Sequence, residues 1–355
     1  MYYRESGYYK TDYKSDMSLY PLPISRFAAF SLLVLFFLAA PVVMNEYYLT
    51  LLSLVAIATV GALGLNILLG YAGQLSIGHA AFMSVGAYTA ANLATRFDLP
   101  FLITLPAGGL MAAAIGIFVG VPSLRIKGVY LAIATLAAQF IIEWIINHSP
   151  EISGGAQASI EVARPTLLGE KIESPVELYY FLLIVAVIAV IATQNLIRSR
   201  IGRAFVAIRD QDIAAEIIGI SVFKYKLYAF AISSFYAGVT GVLYTYYLGI
   251  ASYEQFQLGV SIDYLAMVII GGLGSILGSV FGAFFISLLP IAIRLFMESV
   301  GSLFVEPDVL AQSISQLRQI LFGVLIIVFL IVEPDGLNRL WINIRNYFRV
   351  WPFSH

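Results

Sequence analysis

The sequence predicts an all-α fold, a polytopic membrane helix bundle of about ten transmembrane helices. Three observations carry that expectation. Of 355 residues, 60% are hydrophobic and only 12% charged, whereas soluble domains carry about 25% charged and about 45–50% apolar residues. The apolar residues gather in runs long enough to cross a bilayer, which takes about 20 residues of helix. Lys and Arg cluster in some connections and acids in others, the asymmetry that orients membrane proteins. With a net charge of −1, no broad basic surface points to nucleic acid, and the lack of cysteine excludes disulfides and thiolate metal sites. No cofactor or metal is expected.

In chain order, residues 1–26 are polar and tyrosine-rich, unlike a cleavable signal, and read as a cytoplasmic extension. Apolar runs at 27–43, 47–69, 76–95, 100–121, 128–147 and 177–197 give six spans. Further runs follow at 226–248, 261–274, 276–296 and 315–332. Arg125 and Lys127 mark one inside connection, and Arg198, Arg200, Arg203, Arg209, Lys224 and Lys226 mark another. Arg339, Arg345 and Arg349 put the C-terminal tail on the same side. The 149–176 loop carries Glu151, Glu161, Glu170 and Glu173, and the 297–313 loop carries Glu298, Glu306 and Asp308, so both belong outside. Parity agrees: six spans return the chain inside at Arg198, and four more leave its end inside. The weak member is 261–274, which at about 1.5 Å per residue falls short of the ~30 Å hydrocarbon core. Eight spans plus a re-entrant hairpin is therefore the alternative.

Two segments break the apolar pattern with glycine. The first, GYAGQLSIGHAAF at 70–82, places Gly70, Gly73 and Gly78 beside Gln74, Ser76 and His79. The second, GGLGSILGSVFGAFF at 271–285, carries Gly271, Gly274, Gly278 and Gly282. Paired, glycine-interrupted segments in the two halves of a transporter point to its substrate path. The reason is that a broken helix frees backbone groups, tolerable only against protein or a water-filled cavity. The spacing of Gly274, Gly278 and Gly282 also suits close helix packing, whereas packing leaves Gln74, Ser76 and His79 unexplained. Those three, with Asn66 at the end of the preceding run, are the expected path residues. For His79 three roles stay open: a bridge between helices, a path lining, or a proton relay with Glu143, the one acid well inside an expected span. Gly78 is expected to tolerate alanine better than valine.

The inside connection 199–226, SRIGRAFVAIRDQDIAAEIIGISVFKYK, reads as helix rather than loop. Asp210 or Asp212 is available to cap it and Gly219 to stop it. Phe205, Ile208 and Ala215 share one face, while Arg203, Arg209 and Glu216 supply charge elsewhere. Anchoring to membrane lipid would suit the basic flanks, but a helix seated in a protein groove suits the narrow apolar face and the acids better.

These three stretches in order resemble the LivM-type permeases, membrane subunits of ATP-driven importers for branched-chain amino acids. The likeness runs over about 47–333 and is weaker for the LivH-type sister subunits. It implies a permease domain at 27–333, flanked by the 1–26 extension and a 334–355 cytoplasmic tail. It also implies that 199–226 is a coupling segment, with Arg203, Arg209, Asp212, Ala215, Glu216 and Gly219 engaging an ATPase. The implied partners are two ATPase subunits, a companion LivH-type permease forming a heterodimer, and an extracytoplasmic solute-binding protein. The implied location is the cytoplasmic membrane of a prokaryote. The sequence holds no G-x-x-x-x-G-K-[ST] loop, no H-E-x-x-H and no G-x-S-x-G. The chain is thus expected to be no enzyme and to borrow its energy. Related permeases serve other amino acids, urea or short amides, and a self-sufficient secondary transporter is the competing class.

Overall fold

The computed structural model describes residues 34–124, 129–155, 158–167, 170–172, 174–301 and 336–350, with Asp12, Phe27, Ser31 and scattered positions between 320 and 331. Most of the expected span 315–332, part of 27–43, the 1–26 extension apart from Asp12, most of the 297–313 connection, and Arg125 with Lys127 lie outside the described residues.

After a short helical stretch at 35–43, the described helices are α1 (Glu46–Asn66), α2 (His79–Phe97), α3 (Phe101–Ser123), α4 (Val129–His148) and α5 (Pro175–Arg198). They continue as α6 (Arg200–Asp210), α7 (Asp212–Ile217), α8 (Val222–Leu248), α9 (Leu258–Gly271), α10 (Ile276–Gly301) and α11 (Gly336–Val350). Local chemistry sets the boundaries. Ser174, Pro175 and Glu177 start α5 as a capping box, the Ser174 hydroxyl accepting from Val176 N–H. Gly249, at φ +74°, ends α8.

The chain is an all-α polytopic membrane protein. Six of the described helical segments are long and apolar enough to cross a membrane: Glu46–Tyr71, Phe101–Ser123, Tyr130–His148, Pro175–Arg198, Val222–Leu248 and Ile276–Ile293. Helix α2, expected as a span from residue 76, begins at His79 and carries too many polar residues to join them. Helix α9 has 14 residues and rises only about 21 Å. It forms a hairpin with α10 through the turn 272–275.

Burial sorts the bundle into an inner and an outer set. The apolar stretch of α1 is 83% buried and that of α8 67%, against 28% for α3 and α5. The inner helices meet at small residues, as membrane helices do when dispersion replaces the hydrophobic drive. A Cβ on Gly238 would lie 2.8 Å from Gly108 O and 3.0 Å from Gly109 Cα, so α8 and α3 touch backbone to backbone. Buried hydroxyls pair across the same core, Thr193 with Tyr236 at 2.9 Å and Thr104 with Tyr246 at 2.9 Å.

Two small antiparallel pairs form, β1 (Ser159–Glu161) with β4 (Ile250–Ser252), and β2 (Thr166–Leu167) with β3 (Glu170–Lys171). The first ties the acidic 149–176 connection to the chain leaving α8. Three α2 side chains at helical spacing fix that connection further. Tyr88 OH donates to Ala158 O, Asn92 Nδ2 to Ile152 O at 2.8 Å, and Arg96 Nη2 to Glu151 O. The acidic connection thus caps the C-terminal end of α2. The basic connection holding α6 and α7 lies at the other end, beside the chain that leads into α2.

Candidate functional site

At its end α1 widens into a π-helical turn, Ile67–Tyr71, in which Ala72 N–H donates to Ile67 O and Gln74 N–H to Leu68 O. Gly73 then takes φ +67°, and the chain runs unwound to His79. A helix start leaves its first N–H groups without partners in its own backbone. Here two other helices provide them. Ile77 N–H donates to Thr135 Oγ1 of α4 at 3.0 Å, Ala80 N–H to Ser261 Oγ of α9 at 2.9 Å, and Ala81 N–H to Gln139 Oε1 of α4 at 2.7 Å. Gln139 Nε2 donates onward to Phe256 O at 2.9 Å. The break is therefore held in place by side chains remote in sequence.

Gln74, Ser76 and His79 are all buried within this stretch, at 3%, 2% and 2% exposure. Gln74 Nε2 donates to Lys226 O at 3.2 Å, but its Oε1 has no partner. His79 shares a backbone hydrogen bond with Gly61 and lies 5.3 Å, ring to ring, from Tyr264. Its Nε2 has no partner, and it forms no ion pair with Glu143, which is half-buried on α4. Two polar atoms at the break thus remain unsatisfied inside the protein, a costly state in a low-dielectric interior.

Asn66 is used differently. Its Nδ2 donates to Ser275 O at 2.8 Å and Ser279 Oγ at 2.7 Å, and its Oδ1 accepts from Gly274 N–H at 2.9 Å. Those three bonds commit the amide to the α9–α10 turn, where Asn66 clamps the backbone. In that turn Gly274 has φ +73°. Gly271, Gly278 and Gly282 bring α9 and α10 into close approach: a Cβ on Gly278 would lie 3.0 Å from Gly272 O, and one on Gly282 3.1 Å from Gly271 Cα. A Cβ on Gly70 would strike the Asn66 amide and the Gly274 N–H. The two glycine breaks, paired in the sequence, meet at one place.

The basic connection folds as two helices, not one. Ser199 caps α6, its Oγ accepting from Ile201 N–H at 3.2 Å and Gly202 N–H at 3.4 Å. The expected cap Asp210 instead ends α6 and pairs with Arg209, and Gln211 precedes α7 without a side-chain cap. Asp212 sits in the first turn of α7, 3.8 Å from Lys226 Nζ. Helix α7 closes as a Schellman turn: Gly219 N–H donates to Glu216 O, Ile220 N–H to Ala215 O, and Gly219 has φ +90°. Phe205, Ile208 and Ala215 are buried, as their shared face predicts. Arg209 turns inward, its Nη1 donating to Gly70 O at 2.8 Å. Arg203 bonds Arg198 O at 2.9 Å, Glu216 is exposed, and Ile213, Ile217 and Ile218 are exposed at 66%, 81% and 74%.

Residues 47–330 match the family model described as the permease component of the branched-chain amino acid transport system. The chain belongs to this permease family. The high-affinity branched-chain amino acid transport system permease protein LivM of Escherichia coli is 30% identical over 322 residues, covering 84% of this chain and 72% of the relative. The ribose import permease protein RbsC of Haemophilus influenzae is 28% identical over 261 residues, covering 70% and 77%. The inner membrane ABC transporter permease protein YjfF of Escherichia coli is 27% identical over 286 residues, covering 76% and 77%. No solved structure matches the chain. The matched permease region spans α1 to α10 and so includes both breaks, the clamp and the basic connection, while α11 lies outside it. Sequence reasoning missed Thr135, Gln139, Ser261, Ser275 and Ser279. A signal existed: Thr135 and Gln139 are polar residues four apart within an apolar helix, and Ser275 and Ser279 are four apart at the start of another, where polar groups mark contacts.

Proposed function

We propose that this permease is one membrane subunit of an ABC importer that carries branched-chain amino acids inward through the cytoplasmic membrane of a prokaryote. Two separate ATPase subunits supply the energy, a companion LivH-type permease completes the pathway, and an extracytoplasmic solute-binding protein delivers the substrate. The substrate assignment rests on family membership and on the LivM relative matching more of this chain than the ribose permease does. The observation that carries the coupling role is the pair α6–α7. One face is anchored in the bundle through Phe205, Ile208 and Ala215, and the other presents Ile213, Ile217 and Ile218 around Glu216. A rigid apolar patch bearing one acid, flanked by Arg203 and Lys224, fits a protein groove better than bulk water. Gln74, Ser76 and His79 are the proposed path lining, supported by their burial and by the unpartnered Gln74 Oε1 and His79 Nε2.

Gly219 tests the coupling role cleanly. A Cβ there would meet nothing within 4 Å, so substitution acts through its φ of +90° alone. That conformation costs a residue with a side chain about 1–2 kcal/mol and favours opening the turn that shapes the Ile217–Ile218 patch. Gly219→Val is expected to insert into the membrane, bind the ATPase subunits weakly in a pull-down, and lose leucine uptake in reconstituted vesicles. Full ATPase binding with full stimulated hydrolysis would remove 199–226 from the docking surface. Leucine uptake by the purified chain alone, driven by an ion gradient without any ATPase, would replace the importer reading with a secondary transporter.

A further inference from the structure

We propose that Arg209 is a positioning residue that pins both glycine breaks to α6, so that a displacement of α6 moves the α1–α2 break and the α9–α10 turn together. The inference rests on the importer reading and goes beyond it by naming the contact that transmits motion.

The chemistry of the pin starts with Gly70. Its carbonyl lies in the last turn of the α1 extension, where carbonyls lack donors from their own helix. That end also carries the negative pole of the helix dipole, which favours a cation. Arg209 Nη1 meets both needs, 2.8 Å from Gly70 O. The other edge of the guanidinium is held by Asp210, whose Oδ1 lies 3.0 Å from Nε and 2.9 Å from Nη2. A planar fork can satisfy both partners at once, and a lysine ammonium cannot reproduce that geometry.

Glycine makes the room. A Cβ at Gly73 would lie 3.0 Å from Arg209 Cγ, and one at Gly274 would lie 3.0 Å from Arg209 Nη1 and 3.2 Å from Gly70 O. Both glycines have positive φ. They come from different halves of the chain, and the same arginine fills the space each leaves open. Asn66, one turn before Gly70, completes the lock through its three bonds to Gly274, Ser275 and Ser279. A displacement of α6 is therefore carried to α1 through the bond at Gly70 and to the α9–α10 turn through the packing at Gly274 in one step. The outward residues Ile213, Ile217 and Ile218 take no part in this junction, so gripping the ATPase and transmitting its motion fall to different side chains.

The test uses the whole reconstituted complex of both permeases, ATPase subunits and binding protein in proteoliposomes. ATP hydrolysis and leucine uptake are measured together. Arg209→Gln removes the cationic fork and is expected to leave ATPase copurification intact while raising ATP hydrolysed per leucine moved by roughly tenfold, within the usual span of coupling interactions. Arg209→Lys is expected to restore that ratio only in part. Gly274→Ala, which leaves 199–226 untouched but crowds the guanidinium, is expected to raise it as well. An unchanged ratio in Arg209→Gln overturns the proposal. Loss of ATPase copurification in that variant also overturns it, because Arg209 would then belong to the grip. If Arg209→Gln fails to accumulate in the membrane, Gly274→Ala decides by the same ratio, an unchanged value again overturning the pin. Absence of ATP-dependent uptake in the unaltered complex overturns the importer reading itself, an outcome visible before any variant is made.

Discussion

Gly78 shows how a single missing methyl can matter more than a missing side chain. Its φ of −99° is open to any residue, so conformational freedom is not why glycine stands there. The carbonyl of Thr135 occupies the place a Cβ would take, and Thr135 Cβ would be 3.5 Å away. The clash is with backbone, and the same Thr135 hydroxyl accepts from Ile77 N–H. Alanine already carries the offending atom, so Gly78→Ala is itself costly, even where valine costs more. Both Ala and Val are expected to separate α4 from the start of α2, lowering thermal stability in detergent by an amount typical of overpacking, about 1–3 kcal/mol. Stability of Gly78→Ala equal to that of the unaltered protein would mean that the two helices relax apart freely. At this scale the sequence was legible where glycine itself was the signal, at Gly73, Gly219 and Gly274, because positive φ restricts residue type strongly. It was illegible at Asn66 and Gln139. Whether an amide lines a path or clamps a backbone depends on partners more than 100 residues away in one contact of each, such as Ser275 and Phe256.

Elements were read well wherever local chemistry fixes them and less well where tertiary partners do. Apolar length alone locates α1, α3, α4, α5, α8 and α10. The start of α2 was placed three residues early because its initial N–H groups are capped by side chains of α4 and α9 rather than by a nearby Ser or Asp. The outer end of α2 is held in the same borrowed manner. Tyr88, Asn92 and Arg96 form one stripe along the helix, each donating to a carbonyl of the acidic connection. Asn92 is the informative member, since its Nδ2 also donates to Tyr88 O of its own helix at 2.8 Å and the helix persists without it. Removing one neutral hydrogen bond of this kind costs about 1 kcal/mol, or roughly a fivefold rise in local opening. Asn92→Ala is accordingly expected to speed amide exchange in 150–161 by about that factor while leaving α2 protected. Faster exchange along α2 itself would show that the stripe supports the helix and not the loop.

Across the whole molecule, orientation depends on connecting the two ends of α2 to the two sides of the membrane. The structure supplies the ends: the basic pair α6–α7 meets the break before α2, and the acidic connection covers the far end of α2. Charge supplies the sides, because arginine and lysine are retained on the cytoplasmic face. Neither is sufficient alone. The count of spans was only partly legible, since α9 is short and α2 hides its polarity inside the bundle, where lipid hydropathy has no say. Orientation can be tested without the count, because the native chain has no cysteine and an introduced thiol is the sole reactive one. Asp210 is exposed on α6 and Glu161 is exposed on β1, so each accepts a cysteine without disturbing a buried contact. Asp210 does hold Arg209, so Gln211→Cys, also exposed, is the neutral companion at that end. In intact cells a membrane-impermeant maleimide is expected to label Glu161→Cys, and to label Asp210→Cys and Gln211→Cys only after the membrane is opened. Labelling of both ends from outside would mean that α2 does not separate two compartments, and labelling with the sides exchanged would put the ATPase-facing patch on the wrong face and withdraw the importer reading with it.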